Sequence, residues 1–171
     1  SNELGCPLNN GTPPPPPRYF CVADQHDCGC GADSLLAGCV NSTGLGARLE
    51  AEGSSSVTSD DLTLVMTQLP PNTTALMLMA QQTSRLPWGD GLLCIGGLSK
   101  IFRLPPALNS GLNGTVSTGP GLVALSQTQL VPVPGGIQAG DTWNFQAYYR
   151  DTLGCGSGFN SSNGVAVTFS L

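Results

Sequence analysis

From Gly46 to the C-terminus, apolar side chains recur at every second position, and turn residues interrupt the pattern every 8 to 14 residues. That period suits strands with one face turned inward and does not suit amphipathic helices. The two clearest cases close the chain. In residues 142–150, Trp143, Phe145, Ala147 and Tyr149 share one face, while Asn144, Gln146, Tyr148 and Arg150 share the other. In residues 165–169, Val165, Val167 and Phe169 repeat the alternation. Residues 46–52 and 62–67 alternate as well, and the unbroken apolar run 75–80 suits a strand buried on both faces. Further strands are expected at 92–95, 99–104, 114–118 and 122–126, each bounded by Gly or Pro. The expected fold is therefore an all-β antiparallel sandwich, jelly-roll or immunoglobulin-like, spanning residues 40–171.

Two segments precede it. Residues 1–20 read as an extended arm, because the five prolines at 13–17 can form only a polyproline II rod without internal hydrogen bonds. Residues 21–39 read as a cross-linked loop rich in Cys and Gly, with one short helical turn at 34–37.

Seven cysteines in a chain with only 10% charged residues point to an oxidising compartment, so the expected location is secreted, extracellular or at the cell surface. The expected disulfide set is Cys21, Cys28, Cys30, Cys39, Cys94 and Cys155, which leaves Cys6 in the arm as the free or intermolecular thiol. Cys28 and Cys30, one residue apart, point to opposite sides and do not suit each other. Cys39 is expected to bridge to Cys94, and Cys155 to tie the last loop back towards the N-terminus. A net charge of −5 with six Lys plus Arg argues against nucleic acid, which needs a basic face. No stretch approaches the length of an apolar membrane-spanning helix, so no membrane insertion is expected.

The run Phe20-Cys21, Cys28-Gly29-Cys30-Gly31, Gly38-Cys39-Val40-Asn41-Ser42 and Leu49-Glu50-Ala51-Glu52-Gly53 is followed by Trp88-Gly89-Asp90-Gly91-Leu92-Leu93-Cys94. The run ends in Gly140-Asp141-Thr142-Trp143-Asn144-Phe145-Gln146 and Gly158-Phe159-Asn160-Ser161-Ser162-Asn163-Gly164. From about residue 20 onward this order resembles a family of secreted domains in planctomycete-like and myxobacterium-like bacteria. The resemblance implies export and a β-rich fold, with no assigned activity. Members often carry Trp at the positions of Tyr148 or Tyr149 and end in a further cysteine that this chain lacks.

Chemistry-bearing residues are sparse. A hydrolytic triad needs a proton-shuttling histidine, and the sole histidine, His26, sits in the Cys-rich loop. The paired acids Asp60-Asp61, and Asp90 with Asp141 or Asp151, lie at turns, where Asx side chains cap the backbone. No enzymatic function and no cofactor is expected. Asp24, Asp27 and Asp33 could offer oxygen ligands to calcium, but without the regular spacing of a calcium loop. Five Asn-x-Ser/Thr sequons, at Asn10, Asn41, Asn72, Asn113 and Asn160, are what so Asn-, Ser- and Thr-rich a chain produces by coincidence.

The low charge, the uncharged polar faces, the odd cysteine and the arm together point to a non-enzymatic structural protein. The expected partner is a second copy, engaged through the N-terminal arm in a fibre, surface layer or matrix. The alternative is a carbohydrate-binding or adhesion module that contacts polysaccharide through Trp88, Asp90, Asn144, Gln146 and Tyr148.

Overall fold

A computed structural model of the chain describes residues 13–23, 28, 29, 31 and 36–171. The described residues form eleven strands and one short helix. The strands are β1 (Arg18–Phe20), β2 (Arg48–Glu52), β3 (Thr63–Thr67), β4 (Thr74–Ala80), β5 (Thr83–Trp88) and β6 (Gly91–Ile95). They continue with β7 (Phe102–Asn109), β8 (Val116–Thr118), β9 (Thr142–Arg150), β10 (Phe159–Ser161) and β11 (Gly164–Thr168). Helix α1 spans Leu122–Ser126.

The main sheet has the order β1-β11-β9-β4-β7, with β10 paired to the far end of β9. A second sheet has the order β2-β3-β8, and β5-β6 form a separate hairpin. Every strand pairing in the three sheets is antiparallel. The expected all-β antiparallel sandwich is the observed architecture.

Alternation along β9 explains why the layers stack as they do. Trp143, Phe145, Ala147 and Tyr149 face inward, where they meet Met77 and Met79 of β4, Val165 and Val167 of β11, and Leu49, Leu64 and Met66 of the small sheet. That cluster is the core of the sandwich. The opposite face of the main sheet carries Leu76, Leu78, Ala80 and Tyr148, and the β5-β6 hairpin lies over it through Trp88, Leu93 and Ile95. Strand β9 is thus covered on both sides.

Three sequence-based expectations are corrected here. Residues 122–126 form a helical turn and not a strand, because the Asp60 carboxylate accepts from the Val123 and Ala124 N–H groups and caps the first turn. Residues 18–20, assigned to the arm, form β1 on the edge of the chain's own β11. Cys39 bonds to Cys28 and Cys94 bonds to Cys21, so the expected Cys39 to Cys94 bridge does not form. In the β5-β6 turn, Gly89 takes a positive φ of 63°. A glycine at the first central position suits the mirror-image turn that joins β5 to β6.

Cys155 is disulfide-bonded too, to a partner that falls outside the described residues. Cys6, Cys30, His26, Asp24, Asp27, Asp33 and part of the expected helical turn also lie outside them. Of the five consecutive prolines, Pro13 to Pro16 are exposed and Pro17 is half-buried.

Strand β7 continues through Pro105 and Pro106, which the sequence pattern does not anticipate. Prolines cannot donate to a ladder, so they are tolerated on an edge, and β7 is an edge of the main sheet. Opposite them the β4-β7 register slips between Ala75 and Met77, and the bulge takes up the residues that cannot pair.

Candidate functional site

An open cleft of about 570 Å³ lies on the outer face of the main sheet, beside the β5-β6 hairpin. Its size falls within the range typical of ligand pockets. Leu76 and Leu78 of β4 and Tyr148 of β9 form the floor, and Trp88 and Leu93 of the hairpin form one wall. Phe159 opens β10 beside Tyr148, while Ile101 and the exposed Arg103 stand at the β7 side.

Three rings define this cleft. Trp88 and Tyr148 have centroids 5.4 Å apart and tilted by 43°, and Trp88 meets Phe159 edge-on at 5.3 Å. Tyr148 and Phe159 close the triangle at 5.4 Å. Edge-on and tilted arrangements are the ones aromatic pairs favour, so the three half-buried rings support one another. The turn residue Gly89 makes the triangle possible, because a Cβ there would lie 2.4 Å from the Phe159 ring.

Of the residues expected to contact a partner, only Trp88 and Tyr148 line the cleft. Asn144, Gln146 and Asp90 are buried, which corrects the expectation of a solvent-facing polar stripe on β9. The hairpin covers that stripe, and the polar side chains serve as clips between layers. Gln146 accepts from the Cys94 N–H at 2.9 Å and donates to the carbonyls of Leu92 and Ser162 at 2.7 and 2.8 Å. Asn144 donates to the Gln81 carbonyl at 2.9 Å. Asp90 accepts from the Ser157 N–H at 3.0 Å.

Sequence reasoning missed Leu76, Leu78, Leu93, Ile101, Arg103 and Phe159. Their apolar character is plain in the sequence, but their convergence depends on the hairpin folding back over the sheet.

The remaining acids are held by turn contacts. Asp61 accepts from the Ser54 hydroxyl and N–H, and the hydroxyl bond holds its carboxyl below the usual range. Asp141 accepts from the Gln138 N–H at 2.9 Å. Among the described residues no three His, Cys, Asp or Glu side chains converge as metal ligands would.

Two sequons are buried. The Asn160 amide donates to the Val40 carbonyl and the Asn41 amide to the Gln68 carbonyl, so neither nitrogen is presented for glycosylation in the folded chain. Asn72 and Asn113 are exposed.

Five cysteines engaged in disulfides, and no helix among the described residues long and apolar enough to cross a membrane, are compatible with an extracellular protein. No family model, curated protein or solved structure matches the chain.

Proposed function

We propose that this protein is a non-enzymatic, secreted structural subunit that assembles with copies of itself into an extracellular fibre, layer or matrix. In this reading the proline rod of one copy seats in the aromatic cleft of the next. One observation carries it: an exposed run of prolines leads into β1 on one edge of the main sheet, and an open aromatic cleft lies on the outer face of the same sheet.

Strand register supports the separation. Phe20 lies opposite Gly164 and Arg18 opposite Ala166, which itself faces Asn144. Followed backwards from Phe20, the chain therefore runs towards the Thr142 end of β9. The cleft sits the other way along β9, at Tyr148, which pairs with Leu76 and Ser161. A five-residue rod reaches only about 16 Å at 3.1 Å per residue. It leads away from its own cleft and towards a neighbour's.

The chemistry of the two surfaces matches. Proline rings pack on aromatic faces, and a polyproline II segment gives up little conformational freedom on docking because it is already extended. Its carbonyls are free of internal hydrogen bonds, so the Arg103 guanidinium at the rim is a suitable donor. A head-to-tail contact of this kind joins different surfaces on the two partners and propagates into a filament unless its rotation closes a ring. A polysaccharide is less well served. With Asp90, Asn144 and Gln146 committed to internal hydrogen bonds, aliphatic and aromatic side chains make up seven of the eight lining residues, and few polar groups are left to bond sugar hydroxyls.

Sedimentation velocity over a concentration series tests the reading. The intact chain is expected to associate as concentration rises. Association is expected to disappear in a variant whose residues 13–17 are replaced by Gly and Ser, and in Trp88→Ala. A chain that stays monomeric at all concentrations, with Trp88 fluorescence quenched saturably by a polysaccharide, contradicts it.

A further inference from the structure

We infer that Asp90 and Asp151 form a binding site for a divalent metal ion, calcium in the first instance, where the β5-β6 turn meets the loop that follows β9. The site is separate from the aromatic cleft and does not depend on the assembly reading.

The two carboxylates converge on Gly154. A Cβ placed there would lie 2.8 Å from Asp90 Oδ2 and 2.8 Å from Asp151 Oδ2, so those oxygens are no more than twice that distance apart. Both residues are more than nine-tenths buried. Each is half satisfied. Asp90 Oδ1 accepts from the Ser157 N–H and Asp151 Oδ2 from the Ser42 N–H at 2.9 Å, whereas Asp90 Oδ2 and Asp151 Oδ1 are buried without a hydrogen-bond partner. Two buried carboxylates with unpaired oxygens are costly unless a positive charge joins them. Among the described residues neither forms an ion pair.

A third buried polar group stands on β9 two residues before Asp151. The Tyr149 hydroxyl is fully buried and unpartnered. The region is reachable from outside, because a depression of about 230 Å³ lined by Asn41, Ser42, Gly154 and Cys155 opens beside the pair.

The donor set selects the metal. Carboxylate oxygens suit a hard cation, and Cys155 is committed to a disulfide, so zinc is poorly served. Calcium tolerates irregular oxygen shells completed by carbonyls and water, whereas magnesium demands a near-ideal octahedron. Bound there, the ion clamps three segments at once: the β5-β6 turn through Asp90, the end of β9 through Asp151, and the 41–43 turn through Ser42.

Thermal unfolding in saturating calcium against EDTA is the test, with terbium luminescence sensitised by Tyr149 and Trp88 as a second readout. Calcium at about a hundred times its Kd is expected to raise Tm by roughly 5 °C or more, and magnesium at the same concentration by less. Calcium is expected to displace terbium. Asp151→Asn is expected to abolish both responses. The double variant Asp90→Asn, Asp151→Asn, relieved of its buried charge, is expected to be at least as stable as the parent in EDTA and indifferent to calcium. Should Asp151→Asn not fold, calcium competition against terbium in the parent chain still decides. Equal Tm in calcium and EDTA with no displaceable terbium overturns the assignment, and so does a calcium response that persists in the double variant.

Discussion

Gln146 shows how one side chain can replace a stretch of ladder. Strand β6 approaches the main sheet but does not pair with it, and the Gln146 amide supplies the missing groups by engaging Cys94, Leu92 and Ser162. The Ser161 hydroxyl adds a second clip, accepting from the Leu92 N–H and donating to its carbonyl. Gly91 lets the strands come that close, since a Cβ there would lie 2.3 Å from Asn160 Oδ1. Tyr149 is the opposite case, a buried polar group without a partner. Its folded pKa is raised above the ordinary value of 10.0, chiefly by burial. The folded state therefore holds the phenol proton more tightly than the unfolded chain does. This contribution is complete below about pH 10 and is lost as pH rises through the folded pKa. Denaturant unfolding between pH 8 and 11 is expected to show stability falling above about pH 10, with a slope approaching roughly 1.4 kcal/mol per pH unit. Tyr149→Phe is expected to flatten that fall. An unchanged slope in the variant contradicts the assignment of the proton to Tyr149.

At the scale of elements, two disulfides set how the outer layer is held. Cys21–Cys94 spans 73 residues and ties the chain after β1 to β6, whereas Cys28–Cys39 spans 11 and closes a local loop. Loop-closure entropy assigns about 4 kcal/mol to the first and about 3 kcal/mol to the second. Paired Cys→Ala variants compared by denaturant midpoint are expected to fall in that order, with Cys21→Ala, Cys94→Ala the weaker protein. The reverse order contradicts the view that the long bridge restrains the outer layer.

Strands β2, β3, β9 and β11 fall where alternation places them and β4 where the unbroken apolar run does, whereas β7 runs on through Pro105 and Pro106 past the expected 99–104. Strands β1 and β10 are three residues each, too short for a period to register. Strand β5 carries Pro87 and mostly exposed residues, so no apolar alternation marks it. The same hairpin explains the misplaced site. Alternation shows that Asn144 and Gln146 share a face, but not that β5-β6 lies over that face and leaves only Tyr148 at its margin.

Over the whole molecule, the proposed assembly would join the proline run of one copy to the aromatic cleft of another. The core between the two sheets fixes β9, β9 fixes Tyr148, and the hairpin turn brings Trp88 and Phe159 to it. At the other end, β1 anchors the proline run to the sheet edge, so the rod leaves in a set direction. In that proposal, a stiff rod meeting a preformed cleft needs little ordering on contact. Incorporation of a photo-reactive benzoylphenylalanine at position 15, in a mixture of light and isotope-labelled copies, tests this arrangement most directly. Mass spectrometry is expected to find links between copies, from position 15 to peptides containing Trp88, Tyr148 or Phe159. Links confined to one copy, or to surfaces away from the cleft, contradict it.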